Sequence, residues 1–214
     1  NSGKIVITDP EAGDVKVFSR HGKLLLTSEF GCHLLRPHGI DYNPLTGEIA
    51  VCDQGAHCVY LHDPTGMVRR ILTLPRPLSP DEADSPTQPR SESKFLPFLP
   101  SHVKFDRRNG HLIVTDNENQ SIYVFNTDGE CISELCALQD LKPSALCVDG
   151  KGAVYFTDTS TQCVHKINAE GQQAEVLLGP EDGLGEPLAV AMDTYGRIVI
   201  TENSTGLVKT FCLK

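Results

Sequence analysis

His111-Leu112-Ile113-Val114-Thr115-Asp116, then Asn117-Glu118-Asn119-Gln120, then Ser121-Ile122-Tyr123-Val124-Phe125 and Asn126-Thr127-Asp128-Gly129 is the stretch that decides the fold. Two short apolar runs rich in β-branched and aromatic residues are split by four polar residues and closed by Asp and Gly. That pattern specifies a β-hairpin, because turn residues bound two segments suited to a pleated, half-buried surface. The same phrase recurs along the chain. Its first run closes on a carboxylate at Asp9, Asp53, Asp116, Asp158 and Glu202, at spacings of 44, 63, 42 and 44 residues. A period in the low forties belongs to the blades of a β-propeller.

Working outward from the hairpin, copies two to five each open with a proline and a short apolar run ending in Asp: Pro37 to Asp41, Pro100 to Asp106, Pro143 to Asp149 and Pro187 to Asp193. We label this run strand a. A glycine turn at Gly47, Gly110, Gly152 or Gly196 leads into strand b, a polar loop leads to strand c, and a second glycine turn at Gly22, Gly66, Gly129 or Gly171 leads to strand d. Four short antiparallel strands make a blade, and blades set around an axis make a propeller. The predicted fold is therefore all-β, one propeller domain over residues 1–214, with five countable repeats and a ring of five or six blades. Copy one lacks strand a and copy five lacks strand d. The expectation is that the natural chain supplies those strands upstream of Asn1 within about 15 to 20 residues, or supplies a further blade, since strands run ~5–6 residues.

The long spacing has a visible cause. Residues 75–99 are rich in Pro, Ser, Asp and Glu, with little apolar content before Phe95. Such a segment cannot bury enough surface to offset its ordering cost, so a mobile loop insertion is expected there.

Composition narrows the function classes. The formal net charge of -9 argues against a chain basic all over, so no DNA partner is expected. No run of about 18 apolar residues exists, so no membrane span is expected. Asn1-Ser2-Gly3-Lys4 leads almost directly into an apolar run and is not built like a signal peptide. None of the eight cysteines forms a C-x-x-C pair, and Cys52, Cys58, Cys147 and Cys163 lie inside strand patterns, which implies buried thiols and a cytoplasmic setting. Asn119-Gln120-Ser121 and Asn203-Ser204-Thr205 match the glycosylation acceptor pattern, which keeps a secreted propeller as the alternative.

The unit Pro-x-Gly-apolar-x-x-Asp, glycine turn, apolar run ending Thr-Asp, polar loop, apolar run ending in Phe, then Asp-Gly, resembles the NHL repeat. Gly110 to Gly129 and Pro187 to Phe211 are its best copies, while Glu202 replaces the strand-b Asp and copies three to five lack the glycine after the opening proline. NHL propellers form the C-terminal recognition domain of tripartite-motif (TRIM) and malin-type ubiquitin ligases. The resemblance implies a non-catalytic module that binds a protein substrate or adaptor for a larger RING-type E3 ligase, with RNA as the alternative ligand. No cofactor is implied.

Alternating strand direction places the d-to-a and b-to-c loops on one face. That face collects Arg36, His38, Ser101, His102, Lys142 and Ser144 from the strand-a entrances, and His57, Asn117, Asn119, Thr159 and Asn203 from the b-to-c loops. Amide, hydroxyl and imidazole groups of this kind donate and accept hydrogen bonds in equal measure, which suits peptide backbone or base edges. Only Arg36 and Lys142 would serve phosphates, and Arg107 and Arg108 fall in a turn on the opposite face. Metal-dependent enzymes with related propellers set His or acidic ligands at the axial mouth. Here His38 and His102 lie near it one position out of register, with His57 as a third, so neither a metal site nor catalysis is expected. The strand-b carboxylates are expected to accept turn N–H groups rather than hold a cation.

Overall fold

The computed structural model describes residues 3–28, 33–74, 97–137, 141–169 and 173–213. Residues 75–96 of the expected loop insertion lie outside them.

Among the described residues, eighteen strands form five antiparallel sheets. The first blade contains β1 (Ile5–Asp9), β2 (Asp14–Phe18) and β3 (Leu24–Ser28). The second contains β4 (Pro37–Tyr42), β5 (Ile49–Asp53), β6 (Cys58–His62) and β7 (Val68–Leu72). The third contains β8 (Pro100–Phe105), β9 (Leu112–Asp116), β10 (Ser121–Phe125) and β11 (Cys131–Ala137). The fourth contains β12 (Pro143–Val148), β13 (Val154–Asp158), β14 (Cys163–Ile167) and β15 (Ala174–Leu178). The fifth contains β16 (Pro187–Met192), β17 (Arg197–Glu202) and β18 (Val208–Cys212). Within each sheet, neighbours in sequence are neighbours in space, so every blade is a simple meander. A 3-10 turn, Pro180–Asp182, precedes β16.

The two-residue period of each strand divides its side chains between the two adjoining blades. In β9, Leu112 and Val114 join a core with Ala50, Cys52, Leu61 and Leu72 of the second blade. Ile113, on the other face, joins Leu146, Val154 and Phe156 of the fourth. The remaining junctions follow the same rule: Val15, Leu34 and Val51 between blades one and two, and Tyr155, Val164, Ile198 and Ile200 between blades four and five. Burying one such large side chain contributes ~1.5–3 kcal/mol. The core is thus a row of interfaces between blades.

The opening strands β4, β8, β12 and β16 follow one another along the inner side of the arc, and β1 packs on β4. Residues 97–99, at the end of the expected loop, lead into β8. Phe98 is only 7% exposed and meets Tyr123 and Phe125 with ring centroids 5.9 and 6.2 Å away.

Candidate functional site

The five b-to-c loops share one construction. Each runs four residues from the strand-b carboxylate to a residue with positive φ: Gly13, His57, Gln120, Gln162 and Gly206, at 66°, 56°, 55°, 59° and 66°. The carboxylate folds back over this loop, and in blades two to five it also reaches the strand-a entrance of its own blade. Asp53 accepts from Leu35 N, Arg36 N and Ala56 N at 2.8, 2.9 and 3.0 Å. Asp116 accepts from Leu99 N at 2.9 Å and from Asn119 N at 3.0 Å. Asp158 accepts from Lys142 N at 3.1 Å and Ser160 N at 2.8 Å. Burial opposes the charge of Asp158, but the Ser160 hydroxyl and backbone N–H and the Thr161 hydroxyl hold its carboxyl below the usual range. Glu202 does the same work with a longer reach. Lys209, the Thr205 hydroxyl and Gly185 N–H hold it down to about 2. These oxygens are committed to tying the loop to the strand-a entrance, which leaves little capacity for a cation. Among the described residues, no three His, Cys, Asp or Glu side chains come together as a metal site.

A second recurring device joins each blade to the next. The strand-b threonine one residue before the carboxylate donates to a strand-a carbonyl across the boundary. Thr8 donates to His38 O, Thr115 to Ser144 O at 2.7 Å, and Thr157 to Leu188 O at 3.2 Å. In the second blade this position is Cys52, a poor donor. The corresponding carbonyl, Ser101 O, is met instead by His38 Nδ1 at 3.0 Å. That bond requires the Nδ1–H tautomer. His38, read from sequence as a ligand group, therefore supplies the hydrogen bond that Cys52 does not.

The other sequence-predicted residues divide into two groups. Ser101 is 5% exposed at a break in the β8 register, and its hydroxyl meets Thr115 Oγ1 at 2.8 Å. His102 stands edge-on to His38 with ring centroids 5.3 Å apart. Burial, followed by the neighbouring His38 and Lys104, pushes His102 down to about 4, and its Nδ1 has no hydrogen-bond partner. Asn119 Nδ2 donates to Asp116 at 2.7 Å and to Pro97 O at 3.1 Å. These residues act within the scaffold.

Arg36, His57, Lys142, Thr159 and Asn203 are exposed, with Asn117 and Ser144 half-buried. His57 Nδ1 meets Phe98 O at 3.2 Å, and Asn117 Nδ2 donates to Lys142 O at 3.5 Å. Arg36 and Lys142 join none of the ion pairs among the described residues, so their exposed side chains carry charge into solvent. The described loops of this face hold no exposed aromatic side chain; the exposed tyrosines Tyr42 and Tyr195 belong to turns of the opposite side.

Two clefts open on that opposite side. One of about 240 Å³ lies between Leu45, Leu61, Phe105 and Arg107, and one of about 250 Å³ lies between Arg108, Ile113, Leu135 and Val154. Both fall below the ~300 Å³ at which small-molecule sites begin. Arg108 stands between them, bound to Asp106 and to Lys151 O.

The Thr–carbonyl relay and its exception at Cys52 escaped sequence reasoning. The Thr-Asp pairs were visible signals, but the carbonyl each threonine reaches lies 29 to 31 residues away.

No protein-family model matches the chain. No curated protein matches it either. Solved structures do match in fold. An inactive variant of virginiamycin B lyase from Staphylococcus aureus with quinupristin is 15% identical with a TM-score of 0.69, covering 99% of this chain and 67% of that one. A streptogramin B lyase is 17% identical with a TM-score of 0.64, covering 100% and 66%. A chain of a nidogen/laminin complex is 19% identical with a TM-score of 0.73, covering 98% and 71%. This chain spans about two thirds of the length of each. At such identities the likeness establishes the fold alone: the protein is an all-β, five-bladed β-propeller.

Proposed function

We propose that this propeller is a non-catalytic recognition module of the NHL type, which binds a protein substrate or adaptor in the cytoplasm for a larger ubiquitin ligase of the TRIM or malin kind. The observation that carries the binding reading is the division of labour on the b-to-c face. The strand-b carboxylates Asp53 and Asp158 are turned inward and accept backbone N–H groups. The outward groups are the cations Arg36 and Lys142, the polar side chains of His57, Asn117, Thr159 and Asn203, and the carboxylates of Glu11, Glu118 and Glu186. Arg36 and Lys142, at the entrances of the second and fourth blades, are two local cationic points that complement an acidic or polar peptide stretch. The propeller in the nidogen/laminin complex gives support by analogy, as a similar fold engaged with another protein.

RNA is the weaker reading of this face. Single-stranded RNA binding draws on aromatic platforms as well as cations, and the described loops present two cations without an exposed aromatic. The test pairs the two ligands. Affinity enrichment with the wild-type domain and with an Arg36→Glu/Lys142→Glu variant should show a protein interactor lost in the variant while the circular dichroism spectrum is unchanged. Titration with single-stranded RNA at low salt should give no binding. RNA binding that weakens steeply with salt, or an interactor insensitive to both charge reversals, overturns the proposal.

A further inference from the structure

The a-to-b turns, on the side opposite the b-to-c loops, repeat one geometry. In each, the Asn or Asp that follows strand a accepts the backbone N–H two residues on: Asn43 from Leu45, Asp106 from Arg108, Asp149 from Lys151 and Asp193 from Tyr195, at 2.8 to 3.0 Å. The donating residue therefore stands at the same place on successive blades. On the third blade it is Arg108, whose guanidinium crosses to Lys151 O of the fourth blade and lies over Gly152, where a Cβ would stand 1.6 Å from Nη2. On the second blade it is Leu45, which has no polar group to span the junction. Leu45 is 77% exposed at the lip of the cleft of about 240 Å³ between the second and third blades.

The floor of that cleft is apolar. Leu61, Phe105 and Leu112 line it, and all three are buried in the core that joins the two blades. The mouth is charged. Arg107 lines it, is exposed, and joins none of the ion pairs among the described residues. Arg108 is committed to Asp106 and Lys151 O, and Glu48 accepts the Thr46 hydroxyl at 2.8 Å. An apolar floor and lip thus stand beside an uncommitted guanidinium. The second cleft lacks this division, because Asp106, His111 and Ser133 are mixed among its apolar residues.

We propose that the cleft between the second and third blades is a peptide-docking site separate from the b-to-c face, which takes one large apolar side chain of a partner protein on Leu61, Phe105 and Leu112 and a neighbouring carboxylate on Arg107. Size selects the anchor. An apolar cavity of ~150 Å³ holds a benzene ring, so a cleft of about 240 Å³ admits an aliphatic or aromatic side chain while it is too small for a drug-sized ligand. Charge selects the neighbour of that anchor, because a guanidinium matches a carboxylate with two parallel hydrogen bonds. A buried anchor rimmed by polar contacts is also how binding energy concentrates at protein interfaces. Leu45 adds apolar contact at the lip, where an arginine at the same place on the third blade closes its own junction.

The probe is a library of random peptides, about twelve residues long, displayed on phage and selected on the purified protein. The selected peptides should share a large apolar residue within two positions of an Asp or Glu. The synthetic consensus peptide, followed by fluorescence polarisation, should bind at least ten-fold more weakly to Arg107→Glu and to Leu45→Ser. Both side chains are exposed, so the circular dichroism spectrum and urea midpoint of each variant should match the wild type. An Arg36→Glu/Lys142→Glu variant should bind the peptide as the wild type does, which separates this site from the b-to-c face whether or not that face engages a protein. The proposal is overturned by a selection without enrichment, by a consensus without a carboxylate, or by a consensus peptide insensitive to Arg107→Glu or to Leu45→Ser. Loss of binding in the Arg36→Glu/Lys142→Glu variant overturns it too, since the peptide would then sit on the other face.

Discussion

At pH 7 the His102 imidazole is neutral, because burial and the neighbouring His38 and Lys104 disfavour its charge and push it down to about 4. In the unfolded chain its pKa returns to about 6.5. Between those values the unfolded state binds more protons, so the stability contributed by the neutral ring is complete above pH 6.5 and is lost as pH falls toward 4. The full span is about 3 kcal/mol. A His102→Leu variant should therefore keep its stability at pH 7.5 and lose less than the wild type between pH 6.5 and 4.5, as urea midpoints across that range would show; parallel pH profiles would assign the acid sensitivity elsewhere. Gly39 is constrained by the same neighbour. A Cβ built there would sit 2.5 Å from His102 Cα and 2.6 Å from Ser101 O, both backbone atoms that cannot swing aside. Gly39→Ala should cost about 1–3 kcal/mol through displacement of β4 from β8, measured by chemical denaturation at neutral pH.

At the scale of the strand pair, the relay of threonines gives a sharper test. His38 and Cys52 share one task, the satisfaction of Ser101 O at the boundary between the second and third blades. His38→Leu alone should cost about 1–3 kcal/mol, the usual penalty for a buried carbonyl left without a donor. Cys52→Thr should restore about 1 kcal/mol in that background and change little in the wild type, because the restored threonine would then compete with His38. Equal effects of Cys52→Thr in both backgrounds would show that the two residues are uncoupled. Strands and turns were legible because they depend on local rules: period-two apolar runs, glycines at positive φ, and a carboxylate beside its own turn. The role of His38 was not legible. It depends on a carbonyl 63 residues away and on a break in the β8 register at Ser101, neither of which has a local signature. Phe98 was hidden for a related reason, since it adjoins a polar, proline-rich segment while its ring lies against Phe125, 27 residues further along the chain in β10.

Across the whole molecule, stability is distributed over interfaces between neighbours rather than gathered in one centre. The outcome of removing a core side chain should then depend on blade distance. Phe125 is fully buried in the junction of the second and third blades, packed with Phe98, Leu72 and Leu112. Phe125→Ala should remove about 3–5 kcal/mol by opening a cavity there. If the blades behave as coupled nearest neighbours, native-state hydrogen exchange should accelerate first in β4–β11, while β16–β18 keep their protection, because among the described residues Ile198, Ile200 and Val190 cluster with side chains of the fourth blade and of their own blade. A fully cooperative domain would instead raise exchange in every strand by the same free energy. The first outcome is expected because no described element crosses more than one blade boundary: the cores are separate, and each hydrogen bond of the threonine relay spans a single junction.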